Sequence, residues 1–300
     1  MISRDSAQPD PPKVMHFLAL LTGNFALALG PWFVRIADSG PVSAGFWRLF
    51  LALPLLALFA KARREPLWGY AAKDWVILVG AGVVFALDLA SWHVGIEMTK
   101  LGNATLFGNS GSVILMIWGL IALHRRPHLR EYAAVAMALG GAGLLLGRSM
   151  EIDARTLVGD LFCILAGLFY VVYILMVQNV RSRFGSWGLL FWSSVAGIPV
   201  LLFTAIALGE PVMPTNWWPL IGLMIASQIL GQGLLVYSLG HFPPLVIGLV
   251  LLTQPAVSVV LGWFAFGEVL ALPDAIGMAL VGAALVLARV AEPASEPENG

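Results

Sequence analysis

AMALGGAGLLL, Ala136 to Leu146, returns as GMALVGAALVL, Gly277 to Leu287, and the two stretches agree at seven of eleven positions in register. Shared apolar composition alone does not produce that agreement, so the pair marks a duplicated unit. Counting outward from it gives ten apolar stretches long enough, at about 17 to 25 residues, to cross a hydrocarbon core of roughly 30 Å. They run 15 to 37, 42 to 60, 75 to 96, 101 to 123, 131 to 148, 157 to 180, 187 to 208, 217 to 239, 244 to 266 and 272 to 290. Five precede the polar linker SMEIDAR, Ser149 to Arg155, and five follow it. Because five is odd, the second copy enters the bilayer from the opposite side, an arrangement that suits alternating access around a central site. The expected fold is an all-α integral membrane protein: ten transmembrane helices as two inverted five-helix repeats, with halves 1–148 and 149–300.

Composition points the same way. The chain is 59% hydrophobic and 11% charged, with a mean hydropathy of +0.86, against roughly 25% charged residues in soluble domains. Zero net charge removes the basic footprint that nucleic-acid binding needs. Lys and Arg are unevenly spread between the two sides. The side holding both termini collects twelve, among them Lys61, Arg63, Arg64, Arg181 and Arg183, against Arg35, Lys100, Arg148 and Arg155 on the other. By the positive-inside rule both termini are expected in the cytoplasm. The first fourteen residues lack a signal-peptide pattern, which leaves the first helix as the insertion signal. Cys163 is the lone cysteine, so neither a disulfide framework nor a cysteine metal site is expected. There is no GxxxxGK[ST] and no HExxH. The expectation is a non-enzyme without cofactor, driven by a gradient, whose partners are a small-molecule substrate and the lipid bilayer.

Glycines on the fifth and tenth stretches, Gly140, Gly141, Gly143 and Gly147 with Gly277 and Gly282, form small-residue faces of the kind that pack helix on helix. Such packing fits within one chain or across a homodimer. Pro31, Pro54, Pro199 and Pro255 fall inside spans, where each frees a carbonyl one turn back and introduces a kink. Counting back from the terminal repeat, Gly119 aligns with Gly262 once two extra residues are allowed in the His124 to Arg130 loop.

Ionisable side chains inside a span cost about 2.5 to 3.5 kcal/mol at its centre and are functional candidates by default. Asp88, His93 and Arg48 are the clear cases. Asp88 lies at middle depth with Trp92 one helical turn further on the same face. His93 has a proton affinity suited to exchange with the medium. Two readings stand for this group: a proton relay through Asp88 and His93, or a structural role in which Asp88 pairs with Arg48 or caps a loose backbone segment and so fixes helix order. Arg48 has two of its own, a planar fork for a substrate carboxylate or a side chain that snorkels to the outer interface. Uncharged polar residues recur at the same depth: Asn24, Asn109, Ser110, Ser112, Tyr170, Tyr173, Gln228, Gln232, Gln254 and Ser258. Any one of them suits a neighbouring helix as a bonding partner. Five helices each presenting such a stripe suggest a shared cavity. The candidate substrate set is Asn24, Asp88, Trp92, His93, Asn109, Ser112, Tyr170, Tyr173, Gln228, Gln232 and Gln254.

VGDLFCILAGLFYVVYILMVQ, then VYSLGHFPPLVIGLVLLTQPAVSVVLGWFAFGEVL and IGMALVGAALVL, resemble the EamA domain of the drug/metabolite transporter superfamily. In the first half SAGFWRLFLALP fits, whereas NSGSVILMIWG, Asn109 to Gly119, has Ser112 where Pro255 has its equivalent. The likeness spans residues 15 to 290. It implies a ten-helix inverted-repeat carrier with a cavity lined by the first, third, fourth, sixth, eighth and ninth helices. Within the superfamily the chain looks most like bacterial inner-membrane exporters of the YddG type, which handle aromatic and other neutral amino acids. Efflux of drugs or cationic compounds is the alternative carrier reading. A lipid scramblase or membrane-embedded enzyme is the alternative from another class.

Overall fold

The computed structural model describes residues 14–99, 101–111, 118, 128–147, 154–267 and 272–291. Among them the chain is helical throughout, without strands. In chain order the helices are α1 Val14–Ile36, α2 Pro41–Ala62, α3 Ala72–Met98, α4 Leu101–Gly108, α5 Leu129–Gly147, α6 Ala154–Phe184, α7 Ser186–Ala207, α8 Trp218–Ser238, α9 in two pieces, Pro244–Leu251 and Gln254–Phe266, and α10 Leu272–Ala291. Seven of these, α1, α2, α3, α6, α7, α8 and α9, contain stretches long and apolar enough to cross a membrane. The fourth expected span continues past α4 into residues that are not described.

One constant shift in residue number carries Gly40 onto Gly185, Trp47 onto Trp192, Pro54 onto Pro199, Glu65 onto Glu210 and Leu67 onto Val212. It relates α2 to α7, and the two helices brace each other reciprocally. Glu65, just past the end of α2, accepts hydrogen bonds from the first amides of α7: Ser186 at 3.2 Å, Trp187 at 2.8 Å and Gly188 at 2.9 Å. Glu210, just past the end of α7, accepts from the first amides of α2, Val42 at 3.2 Å and Ser43 at 2.8 Å. Each carboxylate satisfies orphan donors at a helix N-terminus and sits at its positive dipole end. Trp47 donates to the Val212 carbonyl and Trp192 to the Leu67 carbonyl, both at 2.7 Å. The two helices are therefore antiparallel, pinned at each end by a glutamate cap and a tryptophan hydrogen bond.

Local geometry explains how both glutamates reach their targets. Each helix closes through a left-handed residue, Arg64 at φ 57° and Gly209 at φ 70°, after which the glutamate amide returns to the helix, to Ala60 at 2.9 Å and Ala205 at 3.0 Å. Gly40 and Gly185 lie where a Cβ would overlap Glu210 and Glu65 respectively, so a larger residue there would push the cap away. In lipid, burying Leu49 and Leu56 gains close packing rather than transfer from water. Reciprocal polar pins thus contribute orientation that apolar contacts alone do not specify. The α5–α10 pair stands apart from the main core, in a separate cluster built on Ala134, Ala138 and Ala284. Gly140, Gly143 and Gly282 face open space.

Candidate functional site

Three helices lose regular geometry at middle depth. α1 breaks at Leu29, ahead of Pro31; α9 breaks at Leu252 and Thr253, ahead of Pro255. In α8, residues Met224–Gln232 form a wider π-helical segment. Irregular backbone at this depth is tolerated where it is buried in protein or lines a cavity. Beside these irregularities lies a partly open cavity of about 470 Å³. Its walls come from both halves: Leu27 of α1, Arg48 of α2, Asp88, Leu89 and Trp92 of α3, Gly108 and Asn109 at the end of α4, Tyr170 of α6, Gln232 of α8 and Gln254 of α9.

Two ionisable side chains, one basic and one acidic, face this space. Arg48 is 1% exposed; its Nε donates to Gln228 Oε1 at 3.1 Å and Nη2 to the Ser227 carbonyl at 3.4 Å, with the Phe85 ring 5.8 Å from the guanidinium. Gln228 is fixed in turn, donating to Ser194 Oγ at 3.2 Å. Asp88 is 8% exposed and makes no hydrogen bond or ion pair among the described residues. The two side chains thus share a cavity without closing on each other. Leaving one buried charge without a partner is costly, and a polar occupant between them removes that cost.

An amide chain forms another wall. Asn109 Nδ2 donates to Gln254 Oε1 at 3.1 Å and to the Thr105 carbonyl at 2.7 Å; Gln254 Nε2 donates to Asn24 Oδ1 at 2.9 Å, and Asn24 Nδ2 to Thr253 Oγ1 at 2.5 Å. This chain ties α4, α9 and α1 together at the break in α9. Gln232 Nε2 donates to the Tyr170 hydroxyl at 3.3 Å, while Gln232 Oε1 is buried and has no hydrogen bond among the described residues. The Trp92 indole donates to the Ala104 carbonyl at 3.2 Å. A methyl group on Gly108 would lie 2.7 Å from that indole nitrogen, so glycine there lets the ring lie against α4.

Of the residues expected from sequence, Asp88, Trp92, Asn109, Tyr170, Gln232 and Gln254 line the cavity. Asn24 and Gln228 stand one layer behind, holding Gln254 and Arg48. Tyr173 is buried in a ring stack, 4.6 Å from Phe85 and 6.0 Å from Tyr170. His93 turns elsewhere: its Nδ1 lies 2.6 Å from the Pro41 carbonyl, against α2. Five residues past Asp88 is about 140° around a helix, which explains the divergence. Ser112 lies outside the described residues. The snorkelling reading of Arg48 is corrected, because Gln228 and Ser227 of α8 hold it in the interior. Ser193 in α7, the counterpart of Arg48 under the α2–α7 shift, gives the sequence signal that Arg48 departs from the repeat.

The profile of the EamA-like transporter family matches residues 14–147 and again residues 157–290. Two proteins of Archaeoglobus fulgidus, each described as an uncharacterized transporter, are 24% identical over 256 residues and 23% identical over 244 residues. The first alignment covers 85% of this chain and 89% of the relative; the second covers 78% and 83%. A solved crystal structure superposes with a TM-score of 0.75 at 15% identity, covering 94% of this chain and all of the other. That likeness concerns the fold.

Proposed function

The chain belongs to the EamA-like transporter family, and from that membership we propose a ten-span carrier of two inverted repeats, residues 1–148 and 149–300, that exports small zwitterions by alternating access. Its substrates are amino acids, including aromatic and neutral ones. The carrying observation is the separation of Arg48 and Asp88 across one cavity. A substrate carboxylate meets the planar Arg48 fork, and the ammonium meets Asp88. Trp92 and Tyr170 supply apolar faces for the side chain. The Glu65 and Glu210 caps brace opposite faces, and alternating access then requires them to loosen in turn. The arginine-rich face is the cytoplasmic one, the membrane a bacterial inner membrane.

Counterflow of labelled neutral amino acids in proteoliposomes tests this reading. Saturable exchange is expected, with loss in Asp88→Asn; absence of exchange for every amino acid rejects it. Efflux of cationic compounds is the second reading, favoured by the Asp88 carboxylate having no hydrogen bond or ion pair among the described residues. Under it Asp88→Asn stops cation transport, while Arg48→Gln leaves that transport intact.

A further inference from the structure

A second cavity, of about 530 Å³, opens at the arginine-rich face between α2, α6, α7 and α8. Arg63, Glu65, Arg181, Ser186, Trp187, Leu234 and Tyr237 line it. Its charges are not balanced. Glu65 is already committed to three amides of α7. Arg63 is exposed, and its guanidinium has no hydrogen bond or ion pair among the described residues. Arg181 donates through Nε to the Val236 carbonyl at 3.3 Å and lies 5.7 Å over the Tyr237 ring. The Ser186 and Tyr237 hydroxyls make no hydrogen bond among the described residues. Two guanidinium groups and two hydroxyls therefore meet one engaged carboxylate, leaving one positive charge and several donors.

The remaining wall is apolar, made by Leu234 and by Trp187, whose ring packs 4.8 Å from Phe59. Depth adds a constraint. Arg63 follows the end of one span at Ala62, Arg181 follows another ending at Gln178, and Trp187 lies in the first turn of a third beginning at Ser186. The pocket thus sits at headgroup level, where basic clefts between membrane helices take lipid phosphates.

We propose that this pocket binds a phosphate group, held by Arg63 and Arg181 with Ser186 and Tyr237, with Trp187 and Leu234 against the apolar part of its carrier. Tetrahedral oxyanions use several donors at once, and guanidinium groups are suited to them. The apolar wall favours a membrane lipid as source over free phosphate. The site is independent of what the central cavity carries.

Thermal unfolding of the full chain in a neutral detergent tests it, with phosphatidylglycerol, inorganic phosphate and a phosphate-free diacylglycerol titrated in parallel. Phosphatidylglycerol is expected to raise the midpoint and diacylglycerol to leave it unchanged. Arg63→Gln weakens the lipid effect about tenfold, the size of one charge-assisted contact. Lys61→Gln, at the same face but outside the pocket, retains it. Tyr237→Phe keeps the ring and gives a smaller loss. An Arg63-dependent shift with inorganic phosphate alone supports the site and assigns it to a soluble source. Equal shifts from phosphatidylglycerol and diacylglycerol, or equal losses in Arg63→Gln and Lys61→Gln, overturn it.

Discussion

α2 and α7 are alike where they pin each other, and unlike where α2 meets the cavity. Glu65 and Glu210 cap each other's helix, Trp47 and Trp192 bond matching carbonyls, and Pro54 and Pro199 sit at matching depth. Next to Trp47, Arg48 faces the cavity, where α7 has Ser193, buried and bonded to the Leu190 carbonyl. Repetition survives where the chain must brace two faces of a bilayer. It is abandoned at the cavity wall, where Arg48 has no charged counterpart in α7.

Substitution at matched positions breaks or sharpens this contrast. Arg48→Gln is expected to lower counterflow at least about 100-fold, since it removes a buried charge-assisted contact and leaves Gln228 underbonded. Ser193→Ala, at the matched position, is expected to change transport less than about threefold. The caps give the next effect. Glu65→Ala and Glu210→Ala should each cost about 1 to 2 kcal/mol in detergent unfolding. Hydrogen exchange then rises at opposite faces, near Ser186–Gly188 in the first and near Val42–Ser43 in the second. Trp47→Phe and Trp192→Phe lose one hydrogen bond each, about 1 kcal/mol, and should match each other closely. A gap of several kcal/mol between the members of either pair would refute the equivalence.

The smallest effect concerns a feature that a shift from α2 to α7 does not cover. His16 and His241 stack at 4.0 Å between ring centroids, with Tyr237 alongside. Burial holds the His241 pKa below its ordinary 6.5, His16 and Arg181 add repulsion, and the Tyr237 carbonyl opposes them. A depressed folded pKa means the open state binds the proton more readily. The contact is therefore fully present above about pH 6.5 and weakens as pH falls toward the lowered value. Exchange rates for 237–242, corrected for intrinsic chemistry, should rise on acidification, and His241→Gln should flatten that response.

Much of this frame was legible from residues alone. The α5–α10 echo disclosed duplication, and depth plus polarity picked out Asp88, Trp92, Asn109, Tyr170, Gln232 and Gln254. The α2–α7 echo was equally present, in Phe46-Trp47, Pro54 and Glu65-Pro66 against Phe191-Trp192, Pro199 and Glu210-Pro211. Alignment begun from the glycine-bearing last helices does not reach it, because loop insertions change the shift between helix pairs. The snorkelling reading of Arg48 fails because its place seven residues in from Pro41 suggests closeness to the water boundary. Instead Gly40 donates to the Pro211 carbonyl at 2.9 Å, and the start of α2 is covered by the loop after α7. The direction of His93 depends on rotation about its helix, which proximity to Asp88 in the chain does not convey.

The most direct measurement compares binding of a neutral amino acid to the purified protein with binding of its methyl ester and its N-acetyl derivative. Each analogue keeps one charge of the zwitterion. The account predicts that both lose at least about tenfold in affinity, one contact to Arg48 or Asp88 being removed in each case. A methyl ester that binds as tightly as the amino acid would contradict it, since Arg48 would then take no part in recognition.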